Sequence, residues 1–350
     1  MFEEEVVSKR KWISKEHFLD LVGATNLIPG PNSTEMAMHT GYHMAGKWGL
    51  AAAGLSFLIP AVLITGLLAY FYSLYGTLPD VYPFLYGIKP AVIIIILNAV
   101  YKMGSKGIKG GKLLFAALSV AAINGAGLNE VYSIILGGIG GSLFIYLSVN
   151  INRLNSIFPL PLLFIYSLNT AAEYGRETII KLFLACLKIG TVWFGGGYIL
   201  AAYFDGEFVK GLNWLTRQEL LDAIAIGQFT PGPFLSSATF IGFQIAGFWG
   251  AAAATAGIIL PSFLFVLLLN PLIPKMRKSK FFSVFLDAIN ASAIAVMLVA
   301  GLRMGIEMAA DWKTILIMAA ASGAFFFIKK INAAYIILLG AAMGYLLTFI

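Results

Sequence analysis

The sequence has few charged residues and almost no cysteine or histidine. Of its 350 residues only 12% are charged, with one cysteine and three histidines, against about 25% charged residues in a typical soluble protein. A single cysteine excludes a disulfide framework and cysteine-based metal sites. His39 and His43 would share one helical face, but no further ligands complete a coordination sphere. The sequence therefore predicts no metal and no other cofactor.

Motifs for ATP hydrolysis and for common enzyme chemistry are also missing. No Gly-Lys-Ser/Thr phosphate loop is present, so no ATP-driven motor is encoded. The Gly-x-Ser-x-Gly nucleophile motif is absent too, which disfavours an intramembrane enzyme. The net charge of +7 is attributed to cytoplasmic loops that face anionic lipid, and nucleic-acid binding is not expected.

Apolar residues, glycine and proline are abundant instead. The chain is 59% hydrophobic, with 37 glycines and 13 prolines, and both residues are more frequent in membrane helices than in soluble ones. This composition predicts an all-α polytopic protein that crosses the lipid bilayer of the cell membrane several times.

The phrase Pro-Gly-Pro occurs twice among apolar residues, at 29–31 and 231–233. Proline lacks a backbone donor and excludes the preceding residue from the helical region, so each phrase predicts unwound backbone. Unwound backbone at membrane depth is tolerated only where protein buries it or where it lines a cavity. Two matching breaks in two halves indicate the binding site of a transporter.

The two phrases belong to a longer internal repeat, which subtraction of residue numbers detects. Identical residues separated by 202 positions include Trp12/Trp214, Asp20/Asp222 and Pro29/Pro231, and pairs separated by 201 include Gly41/Gly242, Pro60/Pro261 and Met103/Met304. The sequence therefore predicts an N-terminal repeat over 1–150, a linker or short span over 151–177 and a C-terminal repeat over 178–350. Whether 157–172 spans the membrane stays open.

Each Pro-Gly-Pro is flanked by two apolar arms that are too short to cross a bilayer. In the first half they cover 16–27 and 33–45, about a dozen residues each, whereas a span needs about 20. We therefore expect a re-entrant helical hairpin at each break. Further spans are predicted at 48–75, 81–101, 113–128, 131–149, 178–203, 248–272, 281–302, 312–328 and 333–350.

The basic clusters of the two halves lie at opposite ends of equivalent helices. Four lysines between 102 and 112 follow the span 81–101, whereas the basic residues between 275 and 280 precede its copy 281–302. Because cytoplasmic loops collect lysine and arginine, this pattern favours two inverted-topology repeats.

The duplicated Pro-Gly-Pro, with the Phe-Gly-Gly segment at 194–196 before its second copy, resembles the chromate ion transporter family. The resemblance covers nearly the whole chain and implies a secondary active transporter that exports chromate, a tetrahedral dianion. Transport of sulfate or another oxyanion by the same fold, a passive anion channel and a homodimeric assembly all stay open. The Phe-Gly-Gly helix has no counterpart in the first half, so we expect it either upstream of Met1 or lost.

Donors at the two breaks are the candidate oxyanion ligands. A broken helix presents free backbone N–H groups and partial positive charge at the start of its second arm, which attracts anions. Side chains that could add donors also have an ordinary alternative, since Ser, Thr and Asn commonly cap helices. The candidate residues at the breaks are Asn26, Pro29, Gly30, Asn32, Ser33, Thr34, Gln228, Gly232, Ser236 and Ser237.

Two lysines and a glycine run complete the predicted binding site. Lys89 lies within an apolar helix, where an ionisable residue indicates function, although its long side chain can also extend toward an interface. Lys188 lies shortly before Gly195 and Gly196, which would allow a ligand close to the backbone or serve helix packing. Three acids, Glu35, Asp20 and Asp222, are the candidates for proton coupling, with solvated carboxylates as the alternative for the two aspartates.

Overall fold

The computed structural model describes residues 4–25, 28–76, 78–149, 176–269, 279–309, 311–328 and 331–349, and these residues form helices and connecting turns without any strand. The prediction of an all-α protein is confirmed. The segment 157–172 and the basic residues 275–278 lie outside the described residues.

Twelve α-helices of four or more residues carry labels here. They are α1 (Lys15–Thr25), α2 (Asn32–Tyr75), α3 (Tyr82–Gly107), α4 (Gly111–Gly125), α5 (Glu130–Val149), α6 (Arg176–Thr191), α7 (Leu200–Phe204), α8 (Arg217–Phe229), α9 (Ser237–Leu269), α10 (Lys280–Met308), α11 (Trp312–Phe327) and α12 (Ala333–Leu346). Short π-helical turns cover Glu4–Lys9 and Asp205–Gly211.

Four helical segments are long and apolar enough to cross a membrane. They are Asn32–Tyr75, Tyr82–Gly107, Phe234–Leu268 and Phe281–Met308, and the shorter apolar helices include α4, α5, α11 and α12. Apolar side chains are compatible with the hydrocarbon core of the bilayer, and a helix pairs its backbone N–H and C=O groups internally. The chain is a multi-pass membrane protein.

Both Pro-Gly-Pro phrases interrupt helices. Residues 28–31 separate α1 from α2, and residues 230–233 separate α8 from the short 3₁₀ turn Phe234–Ser236 that leads into α9. Gly30 and Gly232 have φ angles of 151° and 140°, which residues with a Cβ rarely adopt. The two breaks thus share one backbone shape.

Helices α2 and α9 each fold back on themselves at an Ala-Gly pair. The backbone angles at Ala45 and Gly46 are (−145°, 29°) and (57°, −145°), and those at Ala246 and Gly247 are (−145°, 30°) and (60°, −149°). Near each bend two glycines eight positions apart touch through their backbones, Gly41 with Gly49 and Gly242 with Gly250. Each long helix is therefore a pair of arms, 32–44 with 47–75 and 237–245 with 248–269.

The equivalent helices α3 and α10 lie side by side and run in opposite directions. A Cβ on Gly305 would lie 3.5 Å from Ile93, and a Cβ on Gly104 would lie 3.8 Å from Ile294. These two contacts are copies of each other, because Gly104 and Gly305 differ by 201 positions and so do Ile93 and Ile294. Reciprocal contacts between antiparallel copies support the predicted inverted repeats.

The last two helices of each half pack mainly on the other half. Helix α3 packs against α11 and α12, and α10 packs against α4 and α5. Small residues allow the close approach: Gly87 lies against Gly340, and Gly137 lies against Ser292. The two halves therefore share one large hydrophobic core, beside a small separate cluster in the first half that contains Val6, Ile13, Phe18, Leu21 and Met36.

The segment 178–203, predicted as a span, is not one continuous helix. Helix α6 ends at Thr191, and the chain is unwound from 192 to 196 before short helical turns resume. Gly195 and Gly196 have φ angles of 98° and 91°, which residues with a Cβ rarely adopt. This segment forms a third broken helix beside the two Pro-Gly-Pro breaks.

Helix α6 covers a face of α9 whose copy on α2 is exposed. Phe183 and Cys186 of α6 contact Gly257, and Gly257 and Pro261 are buried, whereas the equivalent Ser56 and Pro60 are exposed. No counterpart of α6 packs on α2 within the described part of the chain.

Candidate functional site

The first break is buried and contains an unpaired carboxylate. Pro29 and Gly30 are buried, and Glu35 in the first turn of α2 is 0% exposed. One carboxylate oxygen of Glu35 and the hydroxyl of Ser262 both approach the position that a Cβ on Gly30 would occupy. Neither oxygen of Glu35 has a hydrogen-bond partner in the described structure, nor have the hydroxyls of Thr34 and Ser262.

The second break is more exposed at its turn and has buried hydroxyls behind it. Gly232 is exposed, whereas Ser236 and Ser237 at the start of α9 are 1% and 0% exposed. Neither serine hydroxyl has a hydrogen-bond partner among the described residues. Since buried polar groups are nearly always paired, two unpaired donors at a helix N-terminus need an explanation, and a ligand is one.

Each break packs on the long helix of the other half. A Cβ on Gly30 would meet Ser262, which follows Pro261, and a Cβ on Gly232 would lie 2.6 Å from the Cβ of Ala61, which follows Pro60. The hydroxyl of Thr65 also donates to that of Thr230 at 3.1 Å. The repeat therefore sets both breaks against the same central pair of helices, α2 and α9.

The unwound glycine segment lies beside the second break. The ring of Tyr198 stacks on Phe234 with centroids 5.7 Å apart, and its hydroxyl donates to Oε1 of Gln228 at 3.3 Å. The indole N–H of Trp193 donates to the carbonyl of Gly196 at 2.8 Å and holds the loop in shape. Two parts of the predicted site, the glycine segment and Gln228, are thus neighbours.

Lys89 and Asp222, predicted for separate roles, form a buried ion pair between the two halves. Their Nζ and Oδ2 atoms are 3.2 Å apart, and the side chains are 8% and 2% exposed. Nζ of Lys89 also donates to Gln218 at 2.9 Å, and the hydroxyl of Tyr72 donates to Asp222 at 2.7 Å. The positive charge of Lys89 is therefore neutralised in this conformation.

Lys188 is paired as well, with Glu207, and it borders a network of charges that the sequence did not predict. Lys210 contacts Glu130 and Asp205, each at 2.7 Å, and Arg217 contacts Asp205 at 2.9 Å. Residues 204–217 have the composition of a polar connection, so the burial of Asp205 and Phe208 gave no signal in the sequence. The network joins α5, the π-helical turn and α8.

The remaining predicted residues are placed as follows. Asn32 and Ser33 are exposed at the start of α2. Asn26 lies outside the described residues, and so does the side chain of Asp20, whose backbone belongs to α1. Because both predicted lysines already contact carboxylates, the unpaired hydroxyls and helix N-termini are the donors available to an anion in this conformation.

Comparison with known proteins gives one family and several relatives. The family model described as "Chromate transporter" matches residues 1–142 and 180–345. A "Probable chromate transport protein" of Synechococcus elongatus is 30% identical over 97% of this chain and 88% of its own length. A "Chromate transport protein" of Cupriavidus metallidurans is 27% identical over 97% of this chain and 85% of its own length.

A further "Chromate transport protein", of Pseudomonas aeruginosa, is 28% identical over 85% of this chain and 73% of its own length. No solved structure gives a significant match to this chain.

Proposed function

Because this chain belongs to the chromate transporter family, we propose that it is a secondary active transporter that exports chromate across the cell membrane. The named relatives are transport proteins, so the chain is a transport protein and not an enzyme. Its substrate class is an oxyanion.

The observation that supports this function best is the pair of unpaired hydroxyls behind the second break. Ser236 and Ser237 are buried at the start of α9, where the helix dipole also favours negative charge. A tetrahedral dianion offers several acceptor oxygens to such donors. Gln228 and the glycine segment border the same place through Tyr198 and Phe234, and Gly195 and Gly196 leave room for a ligand near the backbone.

Lys89 supplies the positive charge in this proposal after it leaves Asp222. In the described conformation the lysine is paired, so an oxyanion has to compete with the carboxylate for the same ammonium group. Hydrogen bonds between ionised partners are about twice as strong as neutral ones. Exchange of one anion for another keeps Lys89 paired in both states, while Asp222 keeps the hydrogen bond from the hydroxyl of Tyr72.

The membrane potential is sufficient to drive export of a dianion. Moving one elementary charge across the membrane is worth about 2.3 kcal/mol per 100 mV, so a dianion gains about twice that value when it leaves a negative interior. A free-energy difference of about 1.4 kcal/mol corresponds to a tenfold concentration ratio. Export therefore needs no ATP.

The test is uptake of labelled chromate into inside-out membrane vesicles that contain the chain. Export from the cell corresponds to accumulation in such vesicles, and an imposed potential should increase it. The Ser236→Ala/Ser237→Ala variant should lose at least tenfold in apparent affinity, whereas Ser148→Ala, which removes an exposed hydroxyl bonded within its own helix, should match the wild type.

Three results would contradict the proposal. Absence of chromate uptake would exclude the substrate, and full uptake by the double serine variant would exclude this site. A carrier should show counterflow, in which unlabelled chromate on the other side stimulates labelled uptake. Flux without counterflow would indicate a channel. Sulfate added as a competitor shows whether the site distinguishes the two dianions.

A further inference from the structure

Glu35 is a deeply buried acid without a counter-charge. Its side chain is 0% exposed, and neither carboxylate oxygen has a hydrogen-bond partner in the part of the chain that the structure describes. No lysine or arginine of the described residues forms an ion pair with it, although Lys89, Lys188, Lys210 and Arg217 all pair with other acids.

The helices that pack around Glu35 differ in how many titratable residues they contain. Across the interface, α9 contains no Asp, Glu, Lys, Arg or His, and it presents Ser262 at the position next to Gly30. On its own arm of α2 the other titratable residues are His39, Tyr42 and His43, and the packed helix α1 contains Lys15, Glu16, His17 and Asp20. The side chains of Glu16 and Asp20 lie outside the described residues.

An acid in this setting holds a proton. Removing an ion from water costs several kcal/mol even after the protein relaxes, so an isolated buried carboxylate becomes neutral instead. A neutral carboxyl group has a hydrogen to donate, and the unpaired hydroxyl of Ser262 is close enough to the same point beside Gly30 to become its partner after a small rotation.

Only the first break can form such a site. At the second break the residue equivalent to Ser262 is Ala61, whose methyl group faces Gly232. The residue equivalent to Glu35 is Ser236 or Ser237, depending on whether 201 or 202 positions are added. The two breaks therefore provide one such acid, Glu35, which predicts a single bound proton per transport cycle.

We propose that Glu35 is a proton-binding site of the transport cycle and that each oxyanion moves together with one proton on Glu35. This inference rests on the proposed transport of chromate. An ionised Glu35 would repel a dianion bound at the start of α9, the helix whose Ser262 packs against the first break, whereas neutral Glu35 would not. The proton comes from water on the side where the anion binds and returns to water on the side where it leaves.

The bound proton reduces the charge that moves with each chromate from two to one. Export of one net negative charge remains favoured by an inside-negative potential, by about 2.3 kcal/mol per 100 mV. The proposal therefore agrees with export and adds a measurable dependence on the pH gradient.

The experiment measures the chromate ratio across the membrane at zero net flux. The full chain is placed in liposomes in sodium-free buffer, the potential is fixed with potassium and valinomycin, and a pH difference of one unit is imposed. One coupled proton should shift the ratio about tenfold in the wild type. Glu35→Gln, a substitution of equal size, should move chromate without any shift, and the control Glu177→Gln, at an exposed ion pair, should keep the tenfold shift.

Each outcome decides between the possibilities. A wild type that moves chromate with no response to the pH gradient would overturn the proton site and leave the proposed function intact. A tenfold shift that persists in Glu35→Gln would assign the proton to another acid, and a shift that follows a sodium gradient would replace the proton with Na⁺. Absence of chromate flux in the wild type would instead contradict the proposed function. If Glu35→Gln does not fold, the wild-type shift still decides whether a proton moves.

Discussion

At the scale of residues, the most informative contact is the buried pair of Lys89 and Asp222. Removing one partner of such a pair leaves an uncompensated charge and costs about 3–5 kcal/mol. Lys89→Ala should therefore lose both stability and chromate transport. The variant Lys89→Ala/Asp222→Ala removes both charges, so we expect its thermal stability to recover while its chromate affinity stays at least tenfold below the wild type.

Thermal unfolding in detergent and chromate binding by the same samples separate these two effects. If the double variant binds chromate like the wild type, Lys89 has a structural role only. The variant Arg10→Ala/Glu5→Ala offers a control, because this ion pair has both side chains about half exposed and exposed pairs contribute little to stability.

The sequence predicted these individual residues better than their partners. Lys89, Asp222 and Glu35 were identifiable because charge in an apolar segment is rare and local. The pairing of Lys89 with Asp222 depends on how α3 packs against α8, which no local pattern specifies. The unpaired state of Glu35 is likewise a property of the packed core.

At the scale of elements, the breaks differ in what surrounds their glycines. A methyl group on Gly30 would overlap Glu35 and Ser262, whereas a methyl group on Gly232 would overlap mainly the Cβ of Ala61. Overpacking of this kind costs about 1–3 kcal/mol. We expect Gly232→Ala to impair transport and lower the melting temperature, and Ala61→Gly to restore part of both in the double variant. Gly30→Ala should not be rescued by Ala61→Gly, and rescue there would contradict the described packing.

The bends at Gly46 and Gly247 offer a second comparison of the two halves. Both glycines have positive φ angles, 57° and 60°, and a Cβ on either would meet nothing within 4 Å. Only backbone strain then opposes alanine, about 1–3 kcal/mol, because a positive φ with ψ of −145° or −149° is a conformation nearly restricted to glycine. Gly46→Ala and Gly247→Ala should therefore lower stability by similar amounts in thermal unfolding, and a large inequality would show that the two bends are not equivalent.

Helix breaks were predictable where proline causes them and not where glycine does. Pro-Gly-Pro removes two backbone donors on either side of a glycine, so both turns were found with nearly correct bounds, whereas the single prolines Pro60 and Pro261 lie inside helices. Glycine is frequent inside membrane helices and often serves packing, so the run 195–197 did not distinguish a break from a tight interface. The left-handed angles of Gly195 and Gly196 resolve this in the structure.

At the scale of the whole molecule, the sequence predicted the helical membrane fold and the duplication, because composition and residue numbering report these directly. The interlocking of α3 and α10 with the last helices of the opposite half was not predictable, since apolar helix faces do not specify their partners. The antiparallel contacts of α3 with α10 support inverted repeats, and this arrangement has a direct consequence for the membrane.

Inverted repeats place equivalent positions on opposite sides of the membrane. Lys106 in the last turn of α3 and Glu307 in the last turn of α10 differ by 201 positions, and both are exposed. In a background where Cys186, the one cysteine of the sequence, is replaced by serine, we expect a membrane-impermeant maleimide to label Glu307→Cys in intact cells. Lys106→Cys, among the lysines predicted to be cytoplasmic, should react only after permeabilisation. Labelling of both from the same side would indicate parallel repeats, and the two halves could not then be related by an axis in the membrane plane.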